Sequence, residues 1–172
     1  FSTIVILIFC VFQILLLDKV YRSTKIKQTK SLMQEIYTTI DGSNVTAYAN
    51  NNSEEVKKIS NLLKDAEASV YLVKQVVMDP LLGIVEYPLI YGDGDFSTKI
   101  LNVDQLNKVY QGIEKTGQPK FVVIKDDARP EFQQVITDKV DVIENNAIIY
   151  CERVRLADNH SDYMIVMYAR VT

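Results

Sequence analysis

The sequence predicts an α+β protein: an N-terminal membrane and stalk helix, then one α/β domain built on a mainly antiparallel sheet. Three observations carry this. Residues 1–17, FSTIVILIFCVFQILLL, hold no charge. Apolar residues then recur every three or four positions in two separate stretches, which is the helical period. The last third alternates in strand-like runs punctuated by Asn- and Asp-rich turns. At 172 residues the chain is one domain plus attachments, with enough material to bury a core without disulfides.

Residues 1–17 read as a transmembrane helix. They span about 25 Å at about 1.5 Å per residue, and a bilayer core needs about 30 Å. The chain starts at Phe1, so the span is expected to be incomplete at its N-terminus. Asp18-Lys19-Val20-Tyr21 follows with no small-residue cleavage site, which disfavours a signal peptide. Residues 18–40 form a helical stalk, because neither Pro nor Gly interrupts until Gly42. Ile26, Thr29, Met33, Ile36 and Ile40 repeat as a heptad seam that predicts pairing with a second copy. Lys19, Arg22, Lys25, Lys27 and Lys30 flank the apolar run, and the positive-inside rule weighs them towards the cytoplasm.

Residues 41–172 read as the domain. Gly, Ser and Asn make 41–53 a loop. Ser53 caps a second helix, with Glu54 and Glu55 at its positive end. Val56, Ile59, Leu63, Ala66, Val70 and Val73 keep the seam, with helix expected to about Val70 and strand from there to Met78. Residues 79–83 are a turn, 84–91 a strand with Pro88 at an edge or bulge, and 91–96 a tight loop. Val103, Leu106, Val109, Tyr110 and Ile113 share one face of a helix that ends at Thr116-Gly117-Gln118-Pro119. Strands are expected at 121–124, 133–143, 147–157 and 162–171, the last three as a meander with turns at 144–146 and 158–161.

Composition excludes several functions. Nineteen Lys and Arg against 22 Asp and Glu give a net charge of −3, which disfavours nucleic-acid binding. Five basic and two acidic side chains lie before residue 41, and fourteen and twenty after it, so the domain is the acidic part. Two cysteines, one of them Cys10 in the apolar run, rule out a disulfide framework. One histidine and no C-x-x-C leave no Cys/His metal site. Neither a Walker nor a dinucleotide-binding glycine motif is present. Gly92-Asp93-Gly94-Asp95 lacks the remaining ligands of a Ca²⁺ loop and reads as a turn. His160 sits in a hairpin turn, and Asp126-Asp127 and the pair Asp138 and Asp141 read as solvated strand ends. The N-x-[ST] matches at Asn44, Asn51 and Asn159 carry little weight in Asn-rich loops. No catalytic residue, metal or cofactor is therefore expected within this stretch. Ten tyrosines without a tryptophan are more suggestive. Tyr87, Tyr91, Tyr110, Tyr150 and Tyr168 with Arg153 and Arg155 are the candidate lining of a pocket for a small anion, since Arg binds carboxylate bidentately.

Two strands, a helix and a three-stranded meander make a PAS- or Cache-like layout. Membrane helix, charged helix, α/β domain and closing hairpin follow in order. The closing residues are Tyr150-Cys151-Glu152-Arg153-Val154-Arg155-Leu156 and Tyr163-Met164-Ile165-Val166-Met167-Tyr168-Ala169-Arg170-Val171-Thr172. Together they resemble the extracytoplasmic N-terminal region of bacterial membrane-bound sensor histidine kinases. The resemblance implies a signal-sensing input domain in the cell membrane, dimeric through a seam of Ile26, Met33, Ile36, Ile40, Val56, Ile59 and Leu63. It implies ATP and Mg²⁺ only in a cytoplasmic kinase core outside this stretch, a response regulator as downstream partner, and a small-molecule or protein signal. His160 lacks the Glu and downstream Pro-Leu of a phospho-acceptor box. Chemoreceptors and cyclic-dinucleotide enzymes share the same input layout. Phe1-Ser2-Thr3-Ile4 before an apolar helix also resembles the processed start of a type IV pilin or pseudopilin, with Val5 where that family has Glu.

Overall fold

The first helix, α1 (Ser2–Ile40), is one uninterrupted rod of 39 residues, about 58 Å long at about 1.5 Å per residue. The structure, a computed structural model, describes residues 2–94, 103–117, 120–124, 147–157 and 162–170. Among these, α1 is the helix long and apolar enough to cross a membrane, and its apolar window is fully exposed. Behind Ile26 its character changes. Thr29, Met33, Ile36 and Ile40 are buried, and Thr29 returns its hydroxyl to the Lys25 carbonyl at 2.8 Å. The rod ends where Gly42 takes φ +78°, the left-handed turn glycine reaches without a Cβ penalty.

A short 3-10 helix at Val45–Ala49 leads to α2 (Glu54–Leu63). The Ser53 side chain accepts from the Val56 amide at 3.3 Å, and Glu54 and Glu55 fill the first turn as expected. The helix stops at Leu63, short of the expected Val70, and β1 (Ala68–Asp79) begins instead. Burial explains the correction. Val70 packs on one face of the sheet and Val73 on the other, a period-two arrangement no single helical face provides.

The sheet continues through β2 (Ile84–Glu86), β3 (Leu89–Gly94), β4 (Lys120–Ile124), β5 (Ala147–Val154) and β6 (Asp162–Arg170), with α3 (Val103–Thr116) between β3 and β4. Its order is β2-β1-β6-β5-β4, with β3 also paired to β1, and every pairing is antiparallel. The strand expected at 84–91 is split at Tyr87-Pro88. Pro88 has no N–H for the ladder, while its carbonyl accepts from Lys74 at 3.1 Å. Tyr91 to Gly94, expected as loop, extend β3 beside Ser69 to Leu72. The expected strand at 133–143, the turns at 144–146 and 158–161, Asp95, Asp126, Asp127, Asp138, Asp141 and His160 lie outside the described residues.

Helices cover both faces. Ala68, Val70, Leu72, Ile148, Tyr150, Val154, Ile165 and Met167 pack under α1 and α2. Tyr71, Val73, Ile149, Cys151, Met164, Val166 and Tyr168 pack under α3. This places Met33, Ile36, Ile40, Val56, Ile59 and Leu63 in the chain's own core, with Ile26 packed at its margin. The seam predicted for a second copy is therefore spent within one copy, because those positions find an apolar sheet in the same chain.

The direction of α1 follows from three contacts. Gln34 donates to the Tyr150 hydroxyl at 3.2 Å, the Arg155 amide to Asp41 Oδ1 at 3.3 Å, and the Ala157 amide to the Ser43 carbonyl at 2.7 Å. The helix thus runs with β5, and its exposed apolar half projects from the end where Ala147 faces Arg170 and Ala68 faces Ala169. Strand β6 returns the chain to that same end.

Candidate functional site

A cleft of about 560 Å³ opens at the opposite end of the sheet. The last turn of α1 brings Tyr37, and Asp41 follows it. The end of α3 brings Ile113 and Glu114. Strand β5 supplies Glu152, Arg153 and Val154, with Arg155 just beyond it, and β6 begins with Asp162.

Alternation along β5 divides the charges. Arg153 belongs to the α3 side. Its guanidinium meets Asp162 at 2.8 Å and Glu114 at 4.0 Å, and lies 5.1 Å from the centre of the Tyr110 ring. Arg153 and Asp162 are 38% and 51% exposed, so the pair adds little, under about 1 kcal/mol. Glu152 belongs to the α1 side. Its Oε2 is shielded from solvent and, among the described residues, has no hydrogen-bond partner. Burial raises its carboxyl pKa first and the Asp41 carboxylate raises it further, while the Tyr37 hydroxyl works the other way. Tyr37 is itself pushed up to about 12, by burial, then by Glu152 and Asp41.

The seven residues predicted for an anion pocket do not converge. Tyr87, Tyr110, Tyr168 and Arg153 share the α3 side. There Tyr87 accepts from Gln75 at 3.1 Å and donates to Asn107 at 2.9 Å, and its ring lies 6.0 Å from that of Tyr110. Tyr91 and Tyr150 lie across the sheet, under α1 and α2. Tyr91 donates to Asp93 Oδ2 at 2.8 Å, where Ser60 also donates at 2.6 Å, and its ring meets Tyr48 at 5.3 Å. Arg155 is exposed at the rim of the cleft. Strand parity separates these side chains, and a tally of tyrosines does not register parity. One signal for the cleft was present in the sequence. Glu152 is the lone carboxylate among the alternating positions Ile148, Tyr150, Glu152 and Val154, on an otherwise apolar strand face.

Asp93 is engaged by Tyr91, by Ser60 and by the Gly94 amide at 2.7 Å, which gives it a turn-stabilising part. Among the described residues, no three His, Cys, Asp or Glu side chains gather closely enough to hold a metal ion. Cys151 is fully buried, and burial pushes its thiol up to about 12, far from a reactive thiolate. No protein-family model matches the chain, and no curated protein matches it.

Proposed function

We propose that this chain is the signal-sensing input region of a membrane-bound bacterial sensor histidine kinase, its α/β domain a PAS- or Cache-like sensor on the extracytoplasmic side. The observation that carries the reading is the continuity of α1. One helix is both the membrane-crossing candidate and, from Ile26 to Ile40, a wall of the domain's core. A packed helix has discrete seatings, so a change in the head is passed along the rod as a shift or rotation. The return of β6 to the end from which α1 projects adds support, since it sets incoming and outgoing chain side by side at the membrane face. The order of three strands, β1 to β3, then α3, then β4, β5 and β6 in one antiparallel sheet supports the PAS- or Cache-like assignment. Pairing between copies then falls to the exposed face of α1, because Met33, Ile36 and Ile40 are already covered. ATP, Mg²⁺ and the response regulator belong to a cytoplasmic core beyond this stretch.

Two assays on the full-length protein test this. Membranes supplied with labelled ATP should yield a phosphoprotein that is labile to acid and stable to base. Failure to label removes the kinase and leaves a chemoreceptor or cyclic-dinucleotide output. For sidedness, Leu81 is 96% exposed and is not among the residues that line the cleft. Leu81→Cys in a Cys10→Ser background should react with a membrane-impermeant maleimide on intact cells. Reaction only after lysis places the domain inside.

One observation favours a second reading. A long helix, exposed and apolar in its first half and packed on an antiparallel sheet in its second, is also what a type IV pilin-like subunit requires. Val5 stands where that family's pairing Glu belongs, and α3 covers the outer face of the sheet. Recovery of the chain in a sheared surface-fibre fraction, with none in the membrane, would make the filament the working function.

A further inference from the structure

We infer that residues 19–27 of α1 dock onto anionic phospholipid headgroups, in the leaflet that faces the domain. This rests only on α1 crossing a bilayer, and holds for any output and for either side of the membrane. Chain order sets the depth. The charge-free run ends at Leu17, and the margin of the core begins at Ile26. Lys19 and Arg22 stand about 3 and about 7.5 Å past Leu17 along the helix, at about 1.5 Å per residue. The headgroup layer is roughly 5–7 Å deep on each side. Lys19 is therefore inside it and Arg22 at its outer rim. Lys25 and Lys27, about 12 and about 15 Å past Leu17, follow within about 8 Å of that rim, a Debye length at physiological salt. Tyr21, 59% exposed between the cations, is the residue type that settles at a membrane–water interface. The cations are available. Lys19 and Lys27 are exposed, Lys25 is half-buried, and none of the three forms an ion pair among the described residues. At about 100° per residue, the four basic positions fan over roughly 200° of the rod. Asp18 is the one acidic residue between Leu17 and Glu35. The domain above carries the other sign. At this end of the sheet the Glu67 carbonyl accepts the Arg170 amide at 2.9 Å, and the Asp65 and Glu67 side chains are exposed. With twenty acidic against fourteen basic side chains after residue 40, an anionic leaflet repels the head and attracts the rod. An acidic protein would meet the same cations, but the exposed apolar run and Tyr21 continue this surface into lipid.

The test is electron spin resonance on the full-length protein in phosphatidylcholine bilayers, with spin-labelled phosphatidylglycerol or phosphatidylcholine as the probe. The motionally restricted fraction of the probe reports lipid held at the protein surface. Phosphatidylglycerol should be preferred by at least about threefold at low salt. The preference should fall to near parity in about 1 M NaCl, where the Debye length is about 3 Å. Lys19→Gln, Lys25→Gln and Lys27→Gln together should also bring it to near parity. Lys57→Gln, Lys58→Gln and Lys115→Gln together remove the same charge from exposed positions of the head and should leave it unchanged. Equal ratios in the wild type, a preference that survives salt or the first variant, or its loss in the second variant each overturns the surface. Soluble polyglutamate bound by the wild type and not by the first variant, with equal lipid ratios, gives the cations to an acidic protein instead. Alkaline carbonate separates the two ideas. Protein extracted from membranes by carbonate has no crossing helix, and the surface falls with it. Protein retained in membranes without a lipid preference loses the surface alone.

Discussion

Glu152 shows how one partly buried side chain can be costly to a fold. Its carboxyl pKa is raised above the ordinary 4.5 by burial and by Asp41. The charged form is therefore penalised in the folded state. For an acid raised in this way, the penalty is fully present above the folded pKa and is relieved as the pH falls through it towards 4.5. Glu152→Gln should be the more stable protein near neutrality. The advantage should shrink as the pH is lowered from neutrality towards 4.5. Thermal unfolding of both proteins across that window reads the difference, and parallel pH profiles would show that Glu152 carries no penalty. Residue-level legibility was uneven for a physical reason. Capping by Ser53 is a local hydrogen bond and was readable from four consecutive residues. Which face Tyr87 or Tyr150 meets depends on strand parity and on partners far away in sequence, and so was not.

At the level of elements, α1 is the strongest case. Met33, Ile36 and Ile40 are at most 1% exposed within a single copy. Ile36→Ala removes packing against the sheet and should cost about 2–5 kcal/mol, read by unfolding in detergent. The cost should not vary with protein concentration. A midpoint that rises with concentration in the wild type and not in the variant would restore the paired seam. Strand β3 makes a sharper claim. Gly94 adopts φ +100°, and a Cβ there would lie 2.2 Å from the Ala68 carbonyl oxygen. Gly83, at φ +67°, has open space around it. Gly94→Ala should therefore destabilise by more than the roughly 1–3 kcal/mol of a strained backbone position, and by more than Gly83→Ala. Equal costs would mean that β3 detaches from Ser69 without consequence. Helix α3 and strands β5 and β6 were legible because their periods are local. The helix-to-strand change itself was legible, but its place, between Leu63 and Ala68 instead of near Val70, was not, since Val70 satisfies a heptad on paper. Only its pairing with β3 and β6 decides the matter.

For the whole molecule, the sheet order is the part no local pattern could provide. Strands β1 and β6 are neighbours although most of the domain lies between them in sequence. That pairing sets β6 running back to the end from which α1 leaves, and puts the cleft at the other end, against the last turn of α1. On the proposed reading the arrangement makes a lever: a cleft at one end, a helix along the core, and a half long and apolar enough to cross a membrane beyond. A lever has a phase, and phase can be tested. Inserting one Ala after Ser23, in the exposed stretch before Ile26, rotates the membrane half relative to the head by about 100°. Seven inserted residues rotate it by about 700°, only about 20° short of two full turns. Neither insertion touches the buried face, so the thermal stability of the domain should stay unchanged in both. If the proposed kinase reading holds, the one-residue insertion should shift basal phosphorylation or abolish its response, and the seven-residue insertion should return it most of the way. If both insertions signal as the wild type does, α1 is a tether, and coupling through a rigid rod is wrong. If both are silent while the domain stays folded, the length of the rod matters as well as its rotation. The seating of Ile26 at the margin of the core is then the register that signalling depends on.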